Sequence, residues 1–132
     1  MPLMLSKPAL DIGIVVHDEA AMVAFYGDTL GLVALGKFPV PGAVQHRFEM
    51  GQTTMKLVVP DDRPTARPPG RSIKDATGIR YWTAFCTGLD GIVAECQAAG
   101  SEVVIPVSTG STGVRYAVLT DPDGNCFELI EP

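Results

Sequence analysis

The chain is poor in the residues that specialised chemistry most often uses. Of its 132 residues only two are histidine, one is tryptophan and three are cysteine. Cys86, Cys96 and Cys126 form an odd set without paired metal-binding spacing, all at core-like strand or helix positions; reduced, buried thiols in a cytoplasmic protein are the expectation. Basic residues are also short. Ten Lys and Arg against fifteen Asp and Glu leave a formal net charge of -5, which argues against a nucleic-acid or anionic-membrane surface, since both call for clustered cations. No Gly-rich phosphate loop, nucleophile elbow or nucleic-acid motif occurs. The opening Met1–Ala9 is apolar but lacks the basic flank and the length of a signal peptide or membrane span, and is expected as a loose arm or edge segment. A small molecule is the partner these absences leave.

What the chain does have is an internal repeat. Its last dozen residues, Asp121 to Pro132, run from an Asp-Pro-Asp-Gly turn into a short strand in which Glu128 alternates with Phe127 and Leu129, so that the carboxylate faces away from both. Met50 to Pro60 repeats this segment 72 positions earlier: Met55 and Leu57 answer Phe127 and Leu129, Lys56 stands where Glu128 does, and Gly51 precedes its strand just as Gly124 does. Upstream, Asp11–His17 and Tyr81–Thr87 are matching strands, each followed by a helical stretch that ends near Gly31 or Gly100. Each half is therefore strand, helix, then three strands.

In the first half, Ile12, Ile14 and Val16 share a strand face. Asp18 is placed to cap a helix whose Met22, Phe25, Tyr26 and Leu30 recur at helical spacing to cover that face. Residues 32–38 and 43–49 are predicted strands joined across Pro39–Gly42, and 53–59 a further strand. His46 alternates with Val44 and Phe48; it is either a half-buried histidine bonded to a neighbour or a pocket residue. Residues 60–78 break all periodicity and carry four prolines. Arg63, Arg67, Arg71 and Lys74 within them suit either a solvated linker or the reception of an anion. In the second half, Trp82, Ala84 and Cys86 form a strand face covered by Leu89, Ile92, Val93 and Cys96.

Ala24-Phe25-Tyr26 with Leu30-Gly31-Leu32, and Asp121-Pro-Asp-Gly with Phe127–Glu131, resemble the vicinal oxygen chelate superfamily of glyoxalases, bleomycin resistance proteins and extradiol dioxygenases. The resemblance spans nearly the whole chain. It implies an α+β fold of two βαβββ modules in tandem, forming a curled mixed sheet with helices on the outer face: one domain made of module 8–59, linker 60–78 and module 79–132. It also implies a homodimer.

In the metal-dependent members of that superfamily, each module offers one ligand from its first strand and one from its last, all on the concave side. Carried onto this chain, those positions are Asp11, Lys56, Tyr81 and Glu128. Asp11 and Glu128 suit a divalent cation; the Lys56 ammonium offers it no lone pair, and tyrosine coordinates only in unusual sites. No metal and no other cofactor is therefore expected. A salt-bridged pocket floor of Lys56 with Asp11 and Glu128 is one reading. The other makes these groups recognise a ligand, with Tyr81 and Phe48 as apolar walls and His46 and Arg115 joining them. The expected function is metal-independent small-molecule binding. The alternative is an enzyme of the same superfamily: a divalent-metal lyase, isomerase or dioxygenase, or a metal-free acid/base isomerase using Lys56 and Glu128 as catalytic groups.

Overall fold

The computed structural model describes residues 1–70 and 72–132. Two compact units divide the chain, Met1–Thr65 and Ala66–Pro132. The first contains β1 (Ile12–Val15), α1 (Glu19–Ala24) running into a π-helical turn over Phe25–Thr29, β2 (Val33–Val40), β3 (Ala43–Met50) and β4 (Thr53–Pro60). The second contains β5 (Tyr81–Phe85), α2 (Leu89–Ala98), β6 (Val103–Thr109), β7 (Arg115–Thr120) and β8 (Cys126–Glu131). The tandem βαβββ expectation is met. The strands, however, hydrogen-bond within their own unit, as two four-stranded sheets of order β1-β4-β3-β2 and β5-β8-β7-β6, and not as one continuous sheet. In each, the first strand pairs in parallel with the last, an arrangement the intervening helix makes possible by carrying the chain back across one face.

The first unit is held by the face that α1 covers. Ile14, Val16, Met55, Leu57 and Phe48 are buried there, together with Met22, Phe25 and Tyr26. Each such side chain contributes about 1.5–3 kcal/mol relative to exposure. Asp18 caps α1 as expected, its carboxylate accepting from the Ala21 N–H at 3.0 Å. The helix then widens: the Leu30 N–H reaches the Phe25 carbonyl five residues back at 2.9 Å, which shortens the regular helix relative to the sequence pattern. At the other margin, β2 is an edge strand with a register shift between Ala34 and Gly36, where Gly36 takes a φ of +124°. Pro39 is tolerated there because an edge strand leaves one side of its backbone unpaired.

The second unit repeats the plan with different means. Leu89, Val93 and Cys96 of α2 are buried with Phe127, Leu129, Leu119 and Ala117, and the Trp82 ring stacks on Phe127 at 4.7 Å and 8°. Gly88, left-handed at φ +73°, offers no capping side chain. Glu131 at the end of β8 supplies one instead, its carboxylate accepting from the Gly88 and Leu89 N–H groups at 2.7 and 3.3 Å. The closing turn is built as the sequence suggests: the buried Asp121 accepts from the Asp123 and Asn125 N–H groups at 3.0 Å each, and Gly124 takes φ +93°. The three cysteines are free thiols, Cys96 and Cys126 buried and Cys86 half-buried. Burial pushes the Cys96 thiol up to about 11, with Glu95 adding to it, so this group is inert as a nucleophile near neutral pH. Among the described residues no helix is long and apolar enough to cross a membrane.

Candidate functional site

Strand alternation sorts every proposed site residue onto one of two faces. In the first unit the register sets Gly13 beside Lys56 and Lys56 beside Arg47, with Arg47 in turn beside Gly36. These four positions share the face opposite α1. Asp11, two residues before Gly13, belongs there as well. Its Oδ1 accepts from Lys7 Nζ at 2.6 Å and from the Thr54 N–H at 2.9 Å, while its Oδ2 lies 3.9 Å from Lys56 Nζ. The Lys7 hydrogen bond, then the Thr54 N–H, hold the Asp11 carboxyl below its ordinary value, and the charges of Lys7 and Lys56 act in the same direction. Asp11 and Lys56 are thus brought together as an ion pair, with Lys56 about one-third exposed at 34%.

In the second unit Thr83 and Glu128 are neighbours in the β5–β8 register, as Gly13 and Lys56 are in the first; Thr83 Oγ1 donates to Glu128 Oε1 at 3.0 Å. Tyr81 lies two residues back on the same face of β5, 43% exposed, and Phe85 two residues on, 71% exposed. Sequence reasoning reached Glu128 and Tyr81 but not Thr83, the residue that touches the carboxylate. The signal was available in the repeat, since Gly13 and Thr83 are equivalent members of the two first strands.

Three expected site residues lie elsewhere. Phe48 pairs with Met55 and is 3% exposed beneath α1, on the face opposite Lys56, so it cannot wall a pocket with that lysine. His46 shares the Phe48 face and is held by Glu19, with Nε2 2.7 Å from Glu19 Oε2. Lys37 and Arg63 also approach Glu19, at 3.9 and 3.6 Å. The His46 hydrogen bond, aided by these cations, keeps the Glu19 carboxyl below its ordinary value against the opposing effect of burial. Beside His46 a cavity of about 390 Å³ opens between the π-helical turn and β2, floored by Phe48, Leu32 and Ala34. Arg115, expected on the Glu128 side, shares its face with Ala117 and Leu119 and turns toward α2, pairing with Asp90 at 2.7 Å and Glu131 at 2.8 Å. Those two carboxylates, the Asp90 hydrogen bond foremost, raise its already high pKa.

Of the linker cations, Arg63 donates to the His17 carbonyl at 2.8 Å and Arg67 to the Asp123 carbonyl at 3.4 Å; Arg71 lies outside the described residues. Like Thr83, Arg47 is a residue that sequence reasoning passes over. Its guanidinium sits 4.3 Å over the Phe38 ring, and its Nε donates to Gln45 Oε1 at 3.0 Å.

The sequence profile of the Glyoxalase/Bleomycin resistance protein/Dioxygenase superfamily matches residues 10–129, and the chain belongs to that superfamily. A protein of Mycobacterium bovis is 27% identical over 128 residues, covering 96% of this chain and 84% of its own length. Among solved structures, a glyoxalase family protein from Bacillus cereus superposes with a TM-score of 0.83 at 18% identity, over 98% of this chain and 95% of the other. The antibiotic binding protein TnmS3 from Streptomyces sp. CB03234 does so at 0.73 and 24%, over 99% of each chain. At these identities the structural likeness concerns the fold.

A divalent metal of the kind the superfamily's enzymes use would have to be held by the residues just placed, and their chemistry does not suit it. In the first unit one position is an ammonium already paired with the carboxylate at the other. In the second, the position matched to Asp11 is Tyr81, a phenol that coordinates only in unusual sites, and Glu128 is held by the Thr83 hydroxyl. Among the described residues no three His, Cys, Asp or Glu side chains converge as a ligand set.

Proposed function

We propose that this protein binds a small organic molecule and does so without a metal, with Lys56 as a recognition group of the first unit and Glu128 as one of the second. The observation that carries this reading is the Asp11–Lys56 pair at 3.9 Å: the first unit holds a cation, partly exposed and only loosely neutralised, and the resemblance to the superfamily aligns that residue with a metal ligand of its metal-dependent members. A lysine in that position holds an anionic or carbonyl oxygen of a ligand, as a metal would, by charge and hydrogen bonding. Glu128, fixed by Thr83 and flanked along β5 by the exposed Tyr81 and Phe85 rings, accepts from a donor beside an apolar surface. The likeness of fold to an antibiotic-binding protein supports binding as the use of this architecture.

The protein is further proposed to act in the cytoplasm, where its three free thiols stay reduced, and as a homodimer. Light scattering on the eluting protein tests the second point, a monomeric mass contradicting it. The binding reading is tested by thermal-shift screening of a chemically broad library against the wild type and Lys56→Met. Compounds that raise the melting temperature of the wild type, and less so of the variant, support it. A library that stabilises neither protein contradicts it.

A further inference from the structure

The charges on the first sheet's face opposite α1 are arranged at a cost. Arg47 and Lys56 are direct partners across the antiparallel β3–β4 ladder, where side chains stand about 4.5–5.5 Å apart at Cβ and like charges destabilise the pair. The two side chains lean apart. Arg47 reaches over Gly36, which has no side chain to block it, to the Phe38 ring and Gln45 on one side. Lys56 reaches to Asp11 on the other. Asp11 is itself bound more closely by Lys7, at 2.6 Å, than by Lys56. Glu49 shares the face, two residues beyond Arg47, yet among the described residues no carboxylate lies within ion-pair distance of Arg47. The guanidinium is held through its plane, over the Phe38 ring, and through its Nε, by Gln45.

We infer that Arg47 and Lys56 form a two-cation cradle that takes the carboxylate of a ligand whose apolar or aromatic body lies along the neighbouring exposed Phe38, Val33 and Val15. The planar guanidinium supplies the paired donors that match a carboxylate, and the ammonium supplies a point charge from the next strand. The ring of Phe38 both orients Arg47 and extends the apolar surface. An anion between the two cations removes the repulsion that the ladder otherwise bears. This inference rests on the binding reading above and gives it a ligand class, an organic acid.

The probes are naphthalene-2-carboxylate and its neutral carboxamide, titrated calorimetrically at low ionic strength into the wild type, Arg47→Met, Lys56→Met and the charge-preserving Arg47→Lys. The expected result is a roughly tenfold to hundredfold preference of the wild type for the carboxylate, the size of a charge-assisted hydrogen bond. That preference falls to within about threefold in both methionine variants and is partly kept in Arg47→Lys. Melting curves confirm that each variant is folded, and Lys56→Gln replaces Lys56→Met should the latter fail. Equal affinity of the wild type for the two probes, or a preference that survives in both methionine variants, overturns the cradle and leaves the binding reading standing. Failure of both probes alongside hits from the broad library does the same. Failure of both probes and of the library overturns both.

Discussion

Asp11 and Lys56 meet across the parallel edge of the first sheet with 3.9 Å between carboxylate and ammonium. The pair is loose because Asp11 has nearer partners: Lys7 at 2.6 Å and the Thr54 N–H at 2.9 Å take its other oxygen. The electrostatics of this face therefore depend on a residue outside the sheet.

Replacing Lys7 by Met removes the strongest influence on the Asp11 carboxyl. The carboxyl should then titrate closer to its ordinary value of 3.8, since the Thr54 N–H and Lys56 still lower it but the largest cause is gone. A carbon-detected NMR titration of the carboxyl measures this directly. An unchanged midpoint would show that the Lys7 contact is not populated in solution.

Glu19 gives the acid side of the stability profile one identifiable contributor. Its carboxyl is held below 4.5 when folded, so its contribution is complete above that pH and is lost as the pH falls through the folded value. Glu19→Gln should remove up to about 1 kcal/mol at neutral pH, in keeping with a largely solvated ion pair, and flatten that part of the curve. Urea denaturation of both proteins from pH 3 to 7 checks it; parallel curves would mean that the His46 hydrogen bond adds nothing.

Phe127 lies wholly buried against the Trp82 indole, and the chain has no other tryptophan. Phe127→Ala should cost about 3–5 kcal/mol and shift Trp82 emission to the red as water reaches the ring. Fluorescence-monitored denaturation reports both. A loss below about 1 kcal/mol would mean that the surrounding side chains collapse into the space.

Glu131 is predicted to matter as the cap of α2. Glu131→Ala should destabilise the protein by about 1–2 kcal/mol and speed amide exchange at Gly88 and Leu89, the two donors it releases. Arg115→Met, which breaks ion pairs but leaves the cap in place, should cost less than about 1 kcal/mol and leave those amides protected. Equal effects on exchange would assign the ordering of this helix end to Arg115.

The fold was legible because its signals are local and repeated. Asp18 before an apolar helix pattern, Asp-Pro-Asp-Gly before a strand, and the match of Met55-Lys56-Leu57 to Phe127-Glu128-Leu129 each state an element or a face without reference to distant contacts. The site was only half legible. Period-2 alternation tells which residues share a face but not which face belongs to the helix, so it joins His46 to Phe48 but does not separate them from Lys56, which lies on the opposite face. Deciding that needs the β3–β4 register, in which Phe48 meets Met55 and Arg47 meets Lys56. With that register Arg47 would have been found one residue from His46. The direction of Arg115 is not legible in the sequence, because its partners Asp90 and Glu131 are 25 and 16 residues away and only the folded chain joins them. One shared sheet is the expectation because a module of half the chain buries a limited share of its surface; instead, hydrogen bonding closes each module on itself through its own parallel pair.

Elemental analysis of the purified protein tests the central claim most directly. It should be made before and after incubation with manganese, iron, nickel and zinc, with melting temperatures recorded alongside. The ion pair at Asp11 and Lys56 predicts substoichiometric metal and unchanged melting in every case. One equivalent of a metal that raises the melting temperature, and that is lost in Glu128→Ala, would contradict it.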